Sequence, residues 1–357
     1  MIRLQAFFPI PTEAPSQQGM SKSPHLAAVL AVTLLVALGQ PARAESFAYQ
    51  LGRGLPLGET GIRLGGYANA VIAAPRSGPW NFDIRDLSLF TTWERGNWRF
   101  FSETEVANPL SASEHQDLTT GNARFELERL YIDHIFTDAL SVRFGKFLTP
   151  IGRWNLIHAA PLVWTTTRPI ASYQLFSRNA TGLMLHGGLP VGERRLEYAA
   201  YTTLSDSLDP YKSENPFENA FGAHLLYSLA ENLEVGISYA NYELHEEPVG
   251  RFNLAGLEAT WSYRQFEVST EWVHRSGGGN ELTQGFVQAL APLPSHFYAI
   301  GRYEYFQQIS EAAGQVGVFG LAFRPIPPLV WKVEYRLGTH NESAAPDGLY
   351  GSIAVLF

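Results

Sequence analysis

The chain has 357 residues, 45% of them apolar, with 8 Trp, 16 Tyr, 22 Phe, 32 Gly, 22 Pro, no Cys and a formal charge of −8. The acidic balance, with no basic stripe to offset it, excludes a nucleic-acid binder, and the missing Cys excludes disulfides and thiolate chemistry. Overall hydropathy is close to neutral, which excludes a helical membrane bundle but leaves a membrane barrel open, because a barrel's lumen-facing residues are polar.

Residues 26–38 (LAAVLAVTLLVAL) form an apolar run too short to span a bilayer as a helix. Lys22 precedes it and Ala42-Arg43-Ala44 follows, the layout of a secretory signal peptide with its cleavage site. Residues 1–44 are therefore expected to be an N-terminal extension plus a cleaved signal, with Met20 a natural start and Glu45 the first mature residue. A buried helix or membrane anchor is the competing reading. Residues 45–61 form a short periplasmic segment.

From Ile62 onward the chain falls into segments of about ten residues with period-2 alternation, the length a tilted strand needs to cross a bilayer. The expected strands are 62–71, 82–93, 97–107, 123–136, 140–148, 179–188, 194–204, 219–228, 232–244, 251–262, 265–275, 282–291, 296–307, 315–325, 329–339 and 348–357. In 329–339, Trp331, Val333, Tyr335 and Leu337 share one face, and Lys332, Glu334 and Arg336 share the other. Strand 265–275 sets Phe266, Val268 and Trp272 against Glu267, Glu271 and Arg275. In 296–307, Phe297, Tyr303 and Tyr305 oppose Arg302 and Glu304. Aromatics gather near strand ends, charges of both signs crowd the opposite face, and tight links follow even strands while most links after odd strands are longer. The fold class this predicts is all-β: a transmembrane antiparallel up-and-down β-barrel of about 16 strands over 62–357, with short periplasmic turns and longer external loops. Counts of fourteen to eighteen fit the pattern.

The last strand carries Leu349, Gly351, Ile353, Val355 and Phe357 on one face and ends on an aromatic residue. Tyr350, Ile353, Val355 and Phe357 resemble the C-terminal signal by which bacterial outer-membrane barrels are recognised for insertion. A second resemblance lies in Arg129-Leu130-Tyr131-Ile132-Asp133 and in Val142-Arg143-Phe144-Gly145-Lys146-Phe147-Leu148-Thr149-Pro150-Ile151-Gly152. This strand, motif and long loop are similar to the bacterial outer-membrane porin superfamily, and within it to the phosphate-selective porin-like group. The motif covers residues 129–155 only. The resemblance implies a sixteen-stranded, water-filled, trimeric channel with an inward-folded loop. Many basic pore residues mark the phosphate-selective group, and only a few match here.

The longest link, 149–178, is the expected constriction. It holds Trp154, Leu156, Ile157, Val163, Trp164, Ile170, Tyr173 and Phe176, too apolar for a disordered external loop. Between Ala139 and Gly192 stand Arg143, Lys146, Arg153, Arg168 and Arg178, with no Asp or Glu. These are the candidates for an anion-facing constriction. The competing expectation is that they pair with lumen acids on other strands, Glu103, Glu105, Glu126 or Glu128 among them.

The ten His show no metal-ligand spacing; His274 and His158 are expected in the girdle and in a loop. Gly277-Gly278-Gly279-Asn280 reads as a flexible external loop, and Glu246-Glu247 as a solvated one. No G-x-S-x-G or triad stands out, and no cofactor is expected. The leading expectation is a porin for passive diffusion of small hydrophilic solutes, leaning toward anions. The expected partners are outer-membrane lipid and lipopolysaccharide, the barrel-insertion machinery and the solutes. The rivals are a transporter for apolar or aromatic solutes and a structural or adhesive barrel with a blocked lumen.

Overall fold

The computed structural model describes residues 54–157, 159–205, 216–245 and 247–357. The expected signal peptide, His158 and Glu246 lie outside them. Sixteen antiparallel strands close into one barrel. They are β1 (Ile62–Pro75), β2 (Asn81–Arg95), β3 (Trp98–Ser113), β4 (Arg124–Thr137), β5 (Leu140–Leu148), β6 (Asn179–Val191), β7 (Arg194–Ser205) and β8 (Phe217–Ala230), followed by β9 (Leu233–Leu244), β10 (Glu247–Tyr263), β11 (Phe266–Gly277), β12 (Asn280–Pro292), β13 (Phe297–Phe306), β14 (Gly314–Ile326), β15 (Leu329–Thr339) and β16 (Gly348–Leu356). Each pairs with its sequence neighbours. The seam closes where β16 meets β1, in register from Gly348 opposite Pro75 to Leu356 opposite Tyr67. Phe357 extends it: its N–H donates to the Gly66 carbonyl and its carbonyl accepts from the Gly66 N–H, both at 2.8 Å. A Cβ on Gly66 would lie 2.8 and 2.9 Å from the Phe357 ring, so the glycine makes the seat for the last side chain. Outside the barrel count, Leu55–Pro56 bridges to β1 and Gln116–Thr119 lengthens the β3 hairpin.

Alternation decides which face each residue takes. On β15, Trp331, Val333, Tyr335 and Leu337 are exposed while Val330, Lys332, Glu334 and Arg336 are buried toward the lumen. At the tight-turn end, the outward face carries Trp98, Phe136, Trp261, Tyr263, Phe266, Phe297 and Trp331, all exposed. The Phe297 and Phe323 rings stack 4.5 Å apart across β13 and β14. Leaving a Leu or Phe in water forgoes roughly 1.5–3 kcal/mol relative to burying it. Repeated around a closed sheet, that cost is relieved only by lipid, and closure satisfies the backbone groups that lipid cannot.

Two expectations about links need correction. Gly277–Asn280 is a tight hairpin: β11 runs to Gly277, β12 starts at Asn280, and Gly278 and Gly279 take φ of 59° and 83°, the positive pair a two-residue turn requires. Strands β1 to β3 also run further at the loop end than expected. There the apolar alternation stops and Pro109 interrupts β3, with Asn108 at φ 47°, yet backbone pairing continues past the lipid-facing band.

Candidate pore constriction

The 149–178 link leaves β5 after only nine strand residues and turns into the lumen. Its base is pinned. The Thr149 N–H donates to the Arg178 carbonyl at 2.7 Å, and the buried Asn155 amide donates to the Thr149 and Arg178 carbonyls at 2.8 and 3.1 Å. Gly152, at φ 66°, makes the turn into a short helix, α1 (Arg153–Ile157). Leu175 and Phe176 pack with Phe147 and Tyr242 in the main apolar cluster, and Ile170 packs with Phe306, Val316 and Val318.

Three glutamates on the far wall hold the link by its backbone. Glu271 accepts from the Trp154 N–H at 2.6 Å, at the start of α1. Glu304 accepts from the Ile170 N–H at 2.8 Å, at the start of the 3-10 turn Ile170–Ser172. Glu334 accepts from Thr166 N–H at 2.8 Å, Thr167 N–H at 3.0 Å and the Thr167 hydroxyl. Helix starts carry unpaired N–H groups and partial positive charge, so a carboxylate placed there is stabilising. Cations hold the carbonyls in turn. Lys332 donates to Ala160 and Thr165 carbonyls at 2.7 and 3.1 Å, and Arg324 donates to the Pro161 carbonyl at 2.9 Å. Arg302 donates to the Thr165 and Thr167 hydroxyls at 2.6 and 2.9 Å.

The basic residues singled out by sequence divide between several environments. Arg143 makes two hydrogen bonds to Asp133, at 2.7 and 2.9 Å, and lies 3.7 Å over the Tyr131 ring. Lys146 pairs in register with Leu130 and Thr181, one strand position out of phase with Arg143. It is buried, and its ammonium donates to the Leu127 carbonyl at 2.7 Å where β4 and β5 part. Arg168 binds the link itself, donating to Asn155 at 2.9 Å and to Ser172 at 3.0 and 2.9 Å. Arg178 is buried at the link's base. Arg153 is partly exposed and stands 3.5 Å from Glu267.

The acids named with them are buried on β3 and β4. Glu103 binds Arg129 in an ion pair, under which the Phe101 ring lies 4.5 Å from the guanidinium. Glu105 accepts from Ser88 at 2.6 Å and Tyr67 at 3.3 Å. Glu126 is 3.4 Å from Arg124, and Glu128 presents its carbonyl to Asn179 at 2.9 Å. Among the basic candidates, Arg143 pairs with Asp133 and Arg153 with Glu267. Sequence reasoning assigned no constriction role to Glu271, Glu304, Glu334, Arg302 and Lys332. All five lay on faces read as wet, but one-dimensional alternation carries no sign of which wall the link would reach.

In the terminal strand, Val355 is exposed and Ile353 lies on the same outward face, in register with Trp331. Tyr350 faces the lumen, its hydroxyl donating to the Pro346 carbonyl at 2.8 Å beneath Arg336.

No family model matches the chain. It is 23% identical to an uncharacterized protein of Aquifex aeolicus, covering 83% of this chain and 80% of that one. Among solved structures it is similar to an anion-selective porin from Comamonas acidovorans, with a TM-score of 0.59, 12% identity and 83% and 99% of the two chains covered. It is also similar to OmpT, an outer membrane protein of Vibrio cholerae, in a loop L8 deletion mutant, with a TM-score of 0.58, 10% identity and the same coverage. Identities this low show the fold alone: a sixteen-stranded barrel of the kind seen in outer-membrane porins.

Proposed function

We propose that the protein is a bacterial outer-membrane channel for passive diffusion of small hydrophilic solutes, constricted by the 149–178 link. The observation that carries this reading is the docked link itself, tied to the far wall by Glu271, Glu304 and Glu334. A blocked structural barrel has no need of a lumen face charged from wall to wall, and a charged lumen suits solutes that keep their water. The tight turns then face the periplasm and the link opens toward the exterior.

The anion lean expected from sequence draws little support from the geometry. Arg143 is tied to Asp133, Arg153 faces Glu267, and Arg168 is spent on Asn155 and Ser172. Weak ion selectivity follows, with net effects set by how pairs of opposite charge share the lumen. The structural neighbour described as an anion-selective porin lends its fold to this reading and not its preference.

Liposome swelling with neutral solutes of graded size tests the proposal. The protein should admit small polyols and exclude larger oligosaccharides, with a cut-off that rises when the link is shortened. Equal impermeability to every solute, from protein shown to be folded and inserted, would refute it.

A further inference from the structure

Between α1 and the β11 wall, on the tight-turn side of the link, lies a partly open cavity of about 40 Å³. Its apolar lining includes Trp154, Ile157, Leu162 and Trp164; Ser269, Glu271 and Gln288 line it from the wall, and Arg153 and Glu267 form its edge. The apolar groups are fixed in advance. The Trp154 backbone is held by Glu271, and Trp164 packs on Tyr298 at 4.6 Å with Arg324 at 5.0 Å. The polar edge is different. Most lumen Arg–carboxylate pairs are buried and hydrogen-bonded: Arg143 with Asp133 at 2.7 Å, Arg302 with Glu304 at 2.8 Å, and Arg129 with Glu103. Arg153 and Glu267 stand 3.5 Å apart, with side-chain exposures of 33% and 20%.

We propose that this recess binds small zwitterions with an apolar side chain, free aliphatic α-amino acids in particular, as they pass through the lumen; this rests on the channel reading above. A loose, wet ion pair gives little up when it is separated. A zwitterion supplies both replacement partners at once: its carboxylate meets the Arg153 guanidinium and its ammonium meets Glu267. Its side chain then enters the recess. A water-sized group needs about 10–15 Å³ of such space, so roughly three fit, the size of a valine or leucine side chain and not of an indole. A single charge does worse on both sides, because it leaves either Arg153 or Glu267 facing an apolar ligand with no partner. Preorganisation of the two Trp residues lowers the ordering cost.

Tryptophan fluorescence of the refolded full chain in detergent reads the site without requiring conduction. L-leucine should bind at least tenfold tighter than glycine, N-acetyl-L-leucine or leucine methyl ester. Arg153→Gln and Glu267→Gln should each erase the preference for the zwitterion, and Leu162→Trp should abolish leucine binding while both charges remain. Equal binding of all four ligands, or a preference surviving in both charge variants, would overturn the site. The same ligands in planar bilayers should interrupt the current in the same order. A refolded protein that binds leucine selectively yet conducts nothing would refute the channel and leave the site standing.

Discussion

Glu334→Ala removes a single carboxylate that holds two consecutive backbone N–H groups and a hydroxyl of the link. Hydrogen bonds to a charged group contribute roughly 1.5–3 kcal/mol each, and orphaning the buried partners costs a similar amount. The three bonds share one acceptor and are not independent, so a loss of about 3–4 kcal/mol of docking free energy is the reasonable scale. At 1.4 kcal/mol per decade, that shifts the docked-to-released ratio by roughly 100- to 1000-fold. Lys332 loses an electrostatic partner nearby, which loosens the same stretch. Glu271 and Glu304 still hold α1 and the 3-10 turn, so release is local and the barrel remains intact, because β15 keeps its ladders to β14 and β16. Single-channel recording should show larger and noisier conductance, and limited chymotrypsinolysis should cut after Trp164, beside the released stretch, where the parent is protected. Glu334→Gln, which keeps one acceptor oxygen, should fall between the two. Unchanged conductance together with unchanged protection at Trp164 would show that the link is not held in this way.

Gly152→Ala should release α1, since φ 66° disfavours a side chain and its Cβ would collide with the Glu271 carboxylate; a conductance rise smaller than that of Glu334→Ala is the check. Gly66→Leu should unseat Phe357 at the seam and lower the temperature at which the barrel loses its compact form in heat-shift electrophoresis, with little change in the conductance of molecules that do insert. Arg129→Met should cost about 3–5 kcal/mol in urea unfolding by leaving Glu103 buried without its partner, and adding Glu103→Leu should recover most of that loss. The paired lumen charges predict a reversal potential near zero under a KCl gradient, where a strong anion or cation preference would count against the pairing described above.

Strand existence and facing were legible in the sequence because period-2 alternation meets a sharp boundary between lipid and water. Trp331 and Lys332 show it in adjacent positions. The sixteen strands appear where the alternation placed them, and the errors sit at their ends. Beyond the lipid band nothing demands alternation, so the Pro75 end of β1 and the Pro109 stretch of β3 resemble loops. That the link folds back and packs was legible too, from its apolar content; which surface it packs on was not. Its docking partners were not, because Glu271, Glu304 and Glu334 alternate like every other lumen residue and meet the link more than a hundred positions away in sequence.

Planar-bilayer recording of the refolded mature chain tests the central claim most directly. The account predicts discrete, ohmic steps that grow severalfold when residues 156–172 are replaced by a short Gly-Ser linker. Silence from inserted, heat-modifiable protein in both forms, or identical steps with and without the link, would contradict a channel constricted by 149–178.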